Sequence, residues 1–307
     1  MVNKMFTRAV FLAFLSMFLF GCKSGNQKQP AEESEITVDV SELNQDLFQD
    51  INEAKQIFYS LPSPLETAML IRSAGAIYDE DLLNNVDNSG NYTTNKSMAL
   101  NLGIYTCDLS FASLYDQTQA SISYMNAAKK MADGLGILDA INDETIERLE
   151  ENINNRDVIM DIISETFMNS SSYLKENDRT AIAAIVLVGG WVEGLYLATQ
   201  MVPDSVSLKN NKLVDRIVDQ KLSLDIVMRL LADNSDNPDV QSIQKDIDDL
   251  KAIFDKIIMK TSSNLETSVD TATDVTTIKS QTQVTLTPEV FKELKKKVEI
   301  IRSNYIS

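Results

Sequence analysis

The chain has 307 residues, 44% hydrophobic and 24% charged, with few Gly and Pro, so it is long enough to bury a full core and is built for long regular elements. Its net charge of -17 opposes binding to phosphate backbones, so no nucleic-acid partner is expected. It contains no His, which excludes Ser-His-Asp and Cys-His catalysis and His-ligated metal or haem, and its two Cys, Cys22 and Cys107, make no disulfide framework.

At the N-terminus Lys4 and Arg8 precede the apolar run Ala9 to Phe20, and Leu19-Phe20-Gly21-Cys22 closes it. A basic start, a short apolar stretch and a small residue before a cut form a secretory signal. Because this segment holds two bases and no acid, its removal leaves a still more acidic chain.

The stretch resembles the signal peptide of bacterial lipoproteins, with the lipobox ending at Cys22. That resemblance implies a signal peptide over 1–21, lipidation of Cys22 and a cell-envelope location, at the outer membrane. A lipidated Cys anchors firmly without a spanning helix, at about 0.8 kcal/mol per buried CH₂. Residues 22–40 then read as lipidated Cys and flexible tether. The polar run Lys23 to Glu35 would reach on the order of 40 Å if extended.

Residues 41–307 read as one helical domain. Leu43, Leu47, Ile51, Ala54, Ile57, Phe58 and Leu61 give Ser41–Ser60 an amphipathic helical pattern. Ser63-Pro64-Leu65-Glu66 is a capping-box start for a helix from Leu65 to about Ala76, which carries Arg72. A helical turn follows over Asp79 to Asn84, then a loop at Asn88 to Asn91.

Lys96 to Tyr115 is apolar on nearly every face and should be buried all round. Along one stripe it places Asn101, Tyr105, Asp108, Ala112 and Tyr115. Helices are expected at Thr118–Asp133, Asp143–Asn154 and Asp157 to about Lys175. Ala181 to Met201 is the most apolar run of the body and holds the single Trp, Trp191, and an acid, Glu193. Asn177 or Asp178 is the expected cap and Pro203 marks the end.

Only Ala181 to Val192 is uninterruptedly apolar, too short to span a bilayer, so this is a core helix whose glycines permit close packing. It shares with the Lys96 helix a Gly, an aromatic two residues later, then an acid. Convergence of two buried helices or an old duplication would each produce that.

Helices at Leu208–Ala232 and from Asn237-Pro238 onward follow. From Thr261 to Thr287, 13 of 27 residues are Ser or Thr, which reads as a long extended segment with a hairpin around Thr276 to Leu286. Thr287-Pro288 starts a last, locally basic helix expected to dock on an acidic face of its own body. The fold class is therefore all-α: a multi-helix bundle of about nine or ten antiparallel helices, with a Ser/Thr-rich extended segment before the last helix.

Three stretches, Ser63 to Tyr78, the NLGIYTCDLSFASLYDQTQ run starting at Asn101 and the GGWVEGLYLATQ run starting at Gly189, are similar to uncharacterised helical lipoproteins of Bacteroidota-type bacteria. That resemblance implies a location and no activity.

Asp108 and Glu193 each interrupt an apolar helix, and a buried carboxylate must be paired, hydrogen-bonded or protonated. Packed through their glycines, the two helices would bring Asp108 beside Glu193, with Tyr196 and Gln200 on the Glu193 stripe and Arg72 as counter-charge. Three roles follow: a polar network fixing helix register, a ligand pocket lined by Trp191, Tyr105 and Tyr115, or an acid–base pair of a periplasmic hydrolase. The first is preferred. No metal and no cofactor are expected, since bundle carboxylate sites of that kind use Glu-x-x-His. Cys107 reads as a structural thiol. The expected protein is a non-catalytic binding or scaffold module, meeting the membrane through lipid on Cys22 and an unknown envelope protein as partner.

Overall fold

Two helices without a polar face form the centre of the molecule, and the others are laid around them. The computed structural model describes residues 64–138, 143–152, 155–203, 207–261, 266–270, 275–279 and 282–307. The expected signal peptide, lipidation at Cys22, tether, Ser41–Ser60 helix and cap at Ser63 fall outside the described residues.

Among the described residues the fold is an all-α multi-helix bundle of nine α-helices. They are α1 (Pro64–Ser73), α2 (Asn95–Leu114), α3 (Thr118–Gly134), α4 (Asp143–Glu151), α5 (Arg156–Glu176), α6 (Thr180–Gln200), α7 (Lys212–Ala232), α8 (Pro238–Phe254) and α9 (Pro288–Tyr305). Two 3₁₀ turns, Glu80–Leu82 and Val86–Gly90, join α1 to α2. The second replaces the loop expected at Asn88 to Asn91. Asn85 nucleates it by accepting from the Asp87 amide at 2.9 Å, a local side-chain turn that the asparagine-rich sequence favours.

From Ala99 to Leu114 every residue of α2 except Thr106 is buried, and from Ala183 to Thr199 so is every residue of α6 except Tyr196. Both lack an amphipathic stripe because both are surrounded. They meet at glycines, and the contact is reciprocal. A Cβ on Gly103 would run into the Val186 carbonyl, and one on Gly189 into the Leu100 carbonyl. Only hydrogen fits where the two backbones approach this closely. Helix α6 is long and apolar enough to cross a membrane, yet 89% of its apolar window is buried inside the fold.

Around this pair, α3 and α1 pack on α2, α9 and α7 pack on α6, and α8 bridges α7 and α9. Most helix starts follow the capping logic of the sequence. Thr94 and Ser97 form a capping box on α2. Asn211, Asn237 and Thr287 cap α7, α8 and α9, the last two followed by Pro at the first helical position. The expected cap of α6 is different. Asn177 ends α5, Asp178 takes a left-handed φ of 57°, and Arg179 occupies the N-cap without a side-chain cap. With α5 running to Glu176, both polar residues are used to stop one helix rather than start the next.

The Ser/Thr-rich segment carries four short strands. β1 (Ile258–Thr261) pairs antiparallel with β4 (Thr282–Thr285), and β2 (Glu266–Asp270) with β3 (Val275–Lys279), one pair nested inside the other. The hairpin expected within Thr276 to Leu286 is therefore corrected: its two halves pair outward, with the earlier strands. Thr-rich strands register weakly from sequence because neither face is strongly apolar.

Candidate functional site: a sealed polar centre

Asp108 on α2 and Glu193 on α6 come together, and neither exposes any surface. The counter-charge is not Arg72. It is Arg302, from the last turn of α9, whose Nε and Nη2 donate to the two Glu193 carboxylate oxygens at 3.0 and 3.1 Å. This bidentate fork is the strongest pairing geometry for a carboxylate. Arg302 Nη2 also donates to the Leu82 carbonyl at 3.1 Å, and its guanidinium carbon lies 4.6 Å from the Tyr196 ring centre.

Burial, and next the adjacent Glu193, push the Asp108 carboxyl well above its ordinary value of 3.8, against the opposing pull of Arg302 and the Asn84 amide. Burial also raises Glu193, but the charge and hydrogen bonds of Arg302 oppose it. Desolvation works against the Arg302 charge, yet Glu193 outweighs it and keeps the guanidinium protonated beyond its usual range. Of the two carboxyls, Asp108 is the one pushed towards the neutral form by its neighbour, while Arg302 favours the charged form of Glu193. Asp108 Oδ2 accepts from the Asn84 amide at 3.1 Å, whereas Oδ1 has no hydrogen-bond partner among the described residues. Neutral acid, carboxylate and guanidinium sum to zero charge, which is what a dry interior tolerates.

The network continues outward. The Asn84 amide nitrogen Nδ2 donates to Tyr92 Oη at 3.1 Å and to Asn101 Oδ1 at 3.0 Å. Asn101 Nδ2 donates to the Ser97 and Tyr305 carbonyls at 2.9 and 2.8 Å, and Tyr92 Oη donates to the Ile306 carbonyl at 3.2 Å. Tyr105 donates to the Asn85 carbonyl at 3.1 Å. The 3₁₀ segment, α2, α6 and the C-terminal end of α9 are thus tied at one polar centre.

Of the residues singled out by sequence, Asn101, Tyr105, Asp108, Glu193 and Tyr196 belong to this centre. Three do not, and each is a correction. Arg72 donates to the Leu114 carbonyl and stands over the Tyr115 ring at 5.5 Å, serving the C-terminal end of α2 where carbonyls lack partners. Tyr115 itself donates to the Ala76 carbonyl at 2.6 Å. Trp191 faces α7 and donates to Gln220 at 3.0 Å. Trp191, Tyr105 and Tyr115 point to three different neighbours, so they line no common pocket. Cys107 is buried, and desolvation, then Asp108 and Glu193, raise its thiol well above the ordinary range, which keeps it inert.

Sequence reasoning missed Arg302, Asn84 and Tyr92. The Arg302 signal was present. Phe291, Leu294, Val298, Ile301 and Tyr305 form the buried stripe of α9, and Arg302 lies on its edge, four residues after Val298. The other bases of the helix lie off that stripe; Lys297 pairs with Asp249, and the helix's Glu293 with Lys256, as exposed contacts of α9 with the body. Nothing local marked Asn84 as a core residue.

A shared-proton carboxyl pair is also the unit that acid–base hydrolases employ. Here the Glu193 carboxylate is occupied by Arg302, and neither the hollow between α2 and α5 nor the one beside Pro203 and Phe291 is lined by Asp108 or Glu193. Among the described residues no group of three or more Cys, Asp or Glu is placed to hold a metal ion. Comparison with protein-family models, curated proteins and solved structures finds no match to this chain.

Proposed function

We propose that this protein is a lipid-anchored component of the cell envelope, at the outer membrane, acting as a non-catalytic scaffold or binding module for an envelope protein. The observation that carries the non-catalytic reading is the closure of the polar centre: Asp108 and Glu193 are fully buried and their charge is balanced by Arg302. A group that shuttles protons to a substrate must reach it, and among the described residues these carboxyls meet each other, Arg302 and the backbone. The address rests on the lipobox at Leu19 to Cys22, and the acidic chain supports a role without nucleic acid.

Two measurements test the reading. Palmitate labelling of the expressed protein is expected to disappear in Cys22→Ala; labelling that persists removes the anchor. Asp108→Asn and Glu193→Gln are expected to act on stability alone. If they leave folding intact and abolish turnover of an envelope substrate, the hydrolase reading replaces the scaffold.

A further inference from the structure

Between α8 and α9 the chain runs out and back as a two-stranded ribbon, β1 against β4 and then β2 against β3. Among the described residues each strand has one neighbour, and neither pair packs on a helix beyond isolated contacts. A lone two-stranded ribbon is at best marginally stable in water; a third strand or a packed helix is what makes such a pair persist. Both long edges of the ribbon present amide and carbonyl groups that no strand pairs, and such an edge is a template for a further strand.

The two edges differ. The β1–β2 edge, Ile258 to Asp270, carries Lys260, Glu266 and Asp270, and between its paired segments it has four residues (262–265) against two (280–281) on the returning side. Charges and an insertion of this kind protect an edge from pairing. The β3–β4 edge, Val275 to Thr285, has Lys279 as its single charge, no Gly or Pro, and Val, Ile or Thr at seven of its eleven positions. It also holds no Asp or Glu, so in a chain of 45 acids it is a stretch that a second copy can approach without meeting an acid. The stretch is complementary to itself. Turned antiparallel about its centre, it sets Val275 opposite Thr285, Thr276 opposite Val284 and Ile278 opposite Thr282, cross-strand pairs of the β-branched kind that sheets favour. The same register offsets the two copies of Lys279 by two positions, so the like charges do not oppose each other.

We propose that the ribbon joins this chain to a second copy of itself: β3 of each copy pairs antiparallel with β4 of the other, and the two ribbons form one four-stranded sheet about a two-fold axis. One register then engages both strands of each edge, as a closed two-fold interface requires. So narrow a contact makes a weak, concentration-dependent dimer. This goes beyond the envelope reading and stands independently of Cys22, so loss of the anchor would leave it intact.

The test is sedimentation equilibrium of the full chain in density-matched detergent, over about 1 to 100 μM. A reversible monomer–dimer equilibrium is expected for the parent and for Cys22→Ala. Thr276→Lys combined with Val284→Lys sets like charges opposite each other twice across the two-fold axis, and is expected to weaken the dimer more than about tenfold. Thr276→Lys combined with Val284→Glu sets opposite charges at the same places, and is expected to dimerise within about threefold of the parent. Within its own ribbon Thr276 is paired with Val269 and Val284 with Met259, both uncharged, so neither double variant opposes like charges inside one copy. The proposal is overturned if the parent stays monomeric throughout the range, as an edge kept for a strand of another protein would leave it. It is equally overturned if the dimer disappears in Cys22→Ala, if the double-lysine variant dimerises as the parent does, or if the two double variants weaken the dimer alike.

Discussion

Two neighbouring faces of α2 show two ways to build an interior. One face carries Asn101, Tyr105 and Asp108, and its polar groups are matched to partners on α6, α9 and the 3₁₀ segment. The other carries Leu102, Thr106 and Leu109 and borders a cavity. A hydrogen bond demands distance and direction, so the polar face admits one arrangement of its neighbours. Dispersion contacts are non-directional, so the apolar face tolerates a gap. The same helix thus supplies the rigid centre and the adaptable wall.

The largest test of that contrast is Arg302→Met. It leaves Glu193 buried without its cation, and a loss of about 3–5 kcal/mol in denaturant unfolding is expected. Adding Glu193→Gln in the double variant should restore much of it; a single variant as stable as the parent would make the centre ornamental. Next, Gly103→Ala and Gly189→Ala should each cost about 1–3 kcal/mol or more, since the added carbon meets a backbone carbonyl that cannot turn aside. Both effects are expected to exceed anything obtained by altering the cavity lining.

A smaller effect comes with pH. Asp108 has its folded-state pKa raised above 3.8, so the folded form holds a proton the unfolded chain has released. Its contribution to stability is complete below that ordinary value and is lost as pH rises through the raised one. Asp108→Asn, a neutral mimic of the protonated acid, should therefore flatten the decline and gain on the parent in denaturant unfolding as pH rises above the ordinary carboxylate range. An unchanged pH profile would place the proton elsewhere. The smallest effect is expected on the other face: Ser170→Ala removes an unpartnered buried hydroxyl and should leave stability unchanged or raise it by up to about 1 kcal/mol. A clear loss in thermal unfolding would mean that the hydroxyl is already bonded and the two faces are alike.

Much of this was legible in the chain. The all-round apolar character of Asn95–Leu114 and Thr180–Gln200 follows from composition, because a helix without a polar face has to be enclosed. Asn237-Pro238 and Thr287-Pro288 announce helix starts through local chemistry that needs no distant partner. Asp108 and Glu193 were marked by being acids in apolar helices, and the requirement that they be paired is a matter of dielectric energy alone.

Which partner satisfies them was not local. Arg72 is nearer to Asp108 in sequence, but its position on α1 takes it to the end of α2, whereas Arg302 arrives from 109 residues beyond Glu193. The Ser/Thr strands likewise showed extended character without register, since nested pairing is chosen by contacts across the ribbon. Sequence by itself determined which segments are helical, which are enclosed, and that two acids must find partners, because capping, periodicity and desolvation act on a residue and its near neighbours. Only the tertiary structure decided that Arg302 pairs with Glu193, that Asp108 lies beside that pair, and that the next face of α2 borders a cavity, because those depend on which distant surfaces meet.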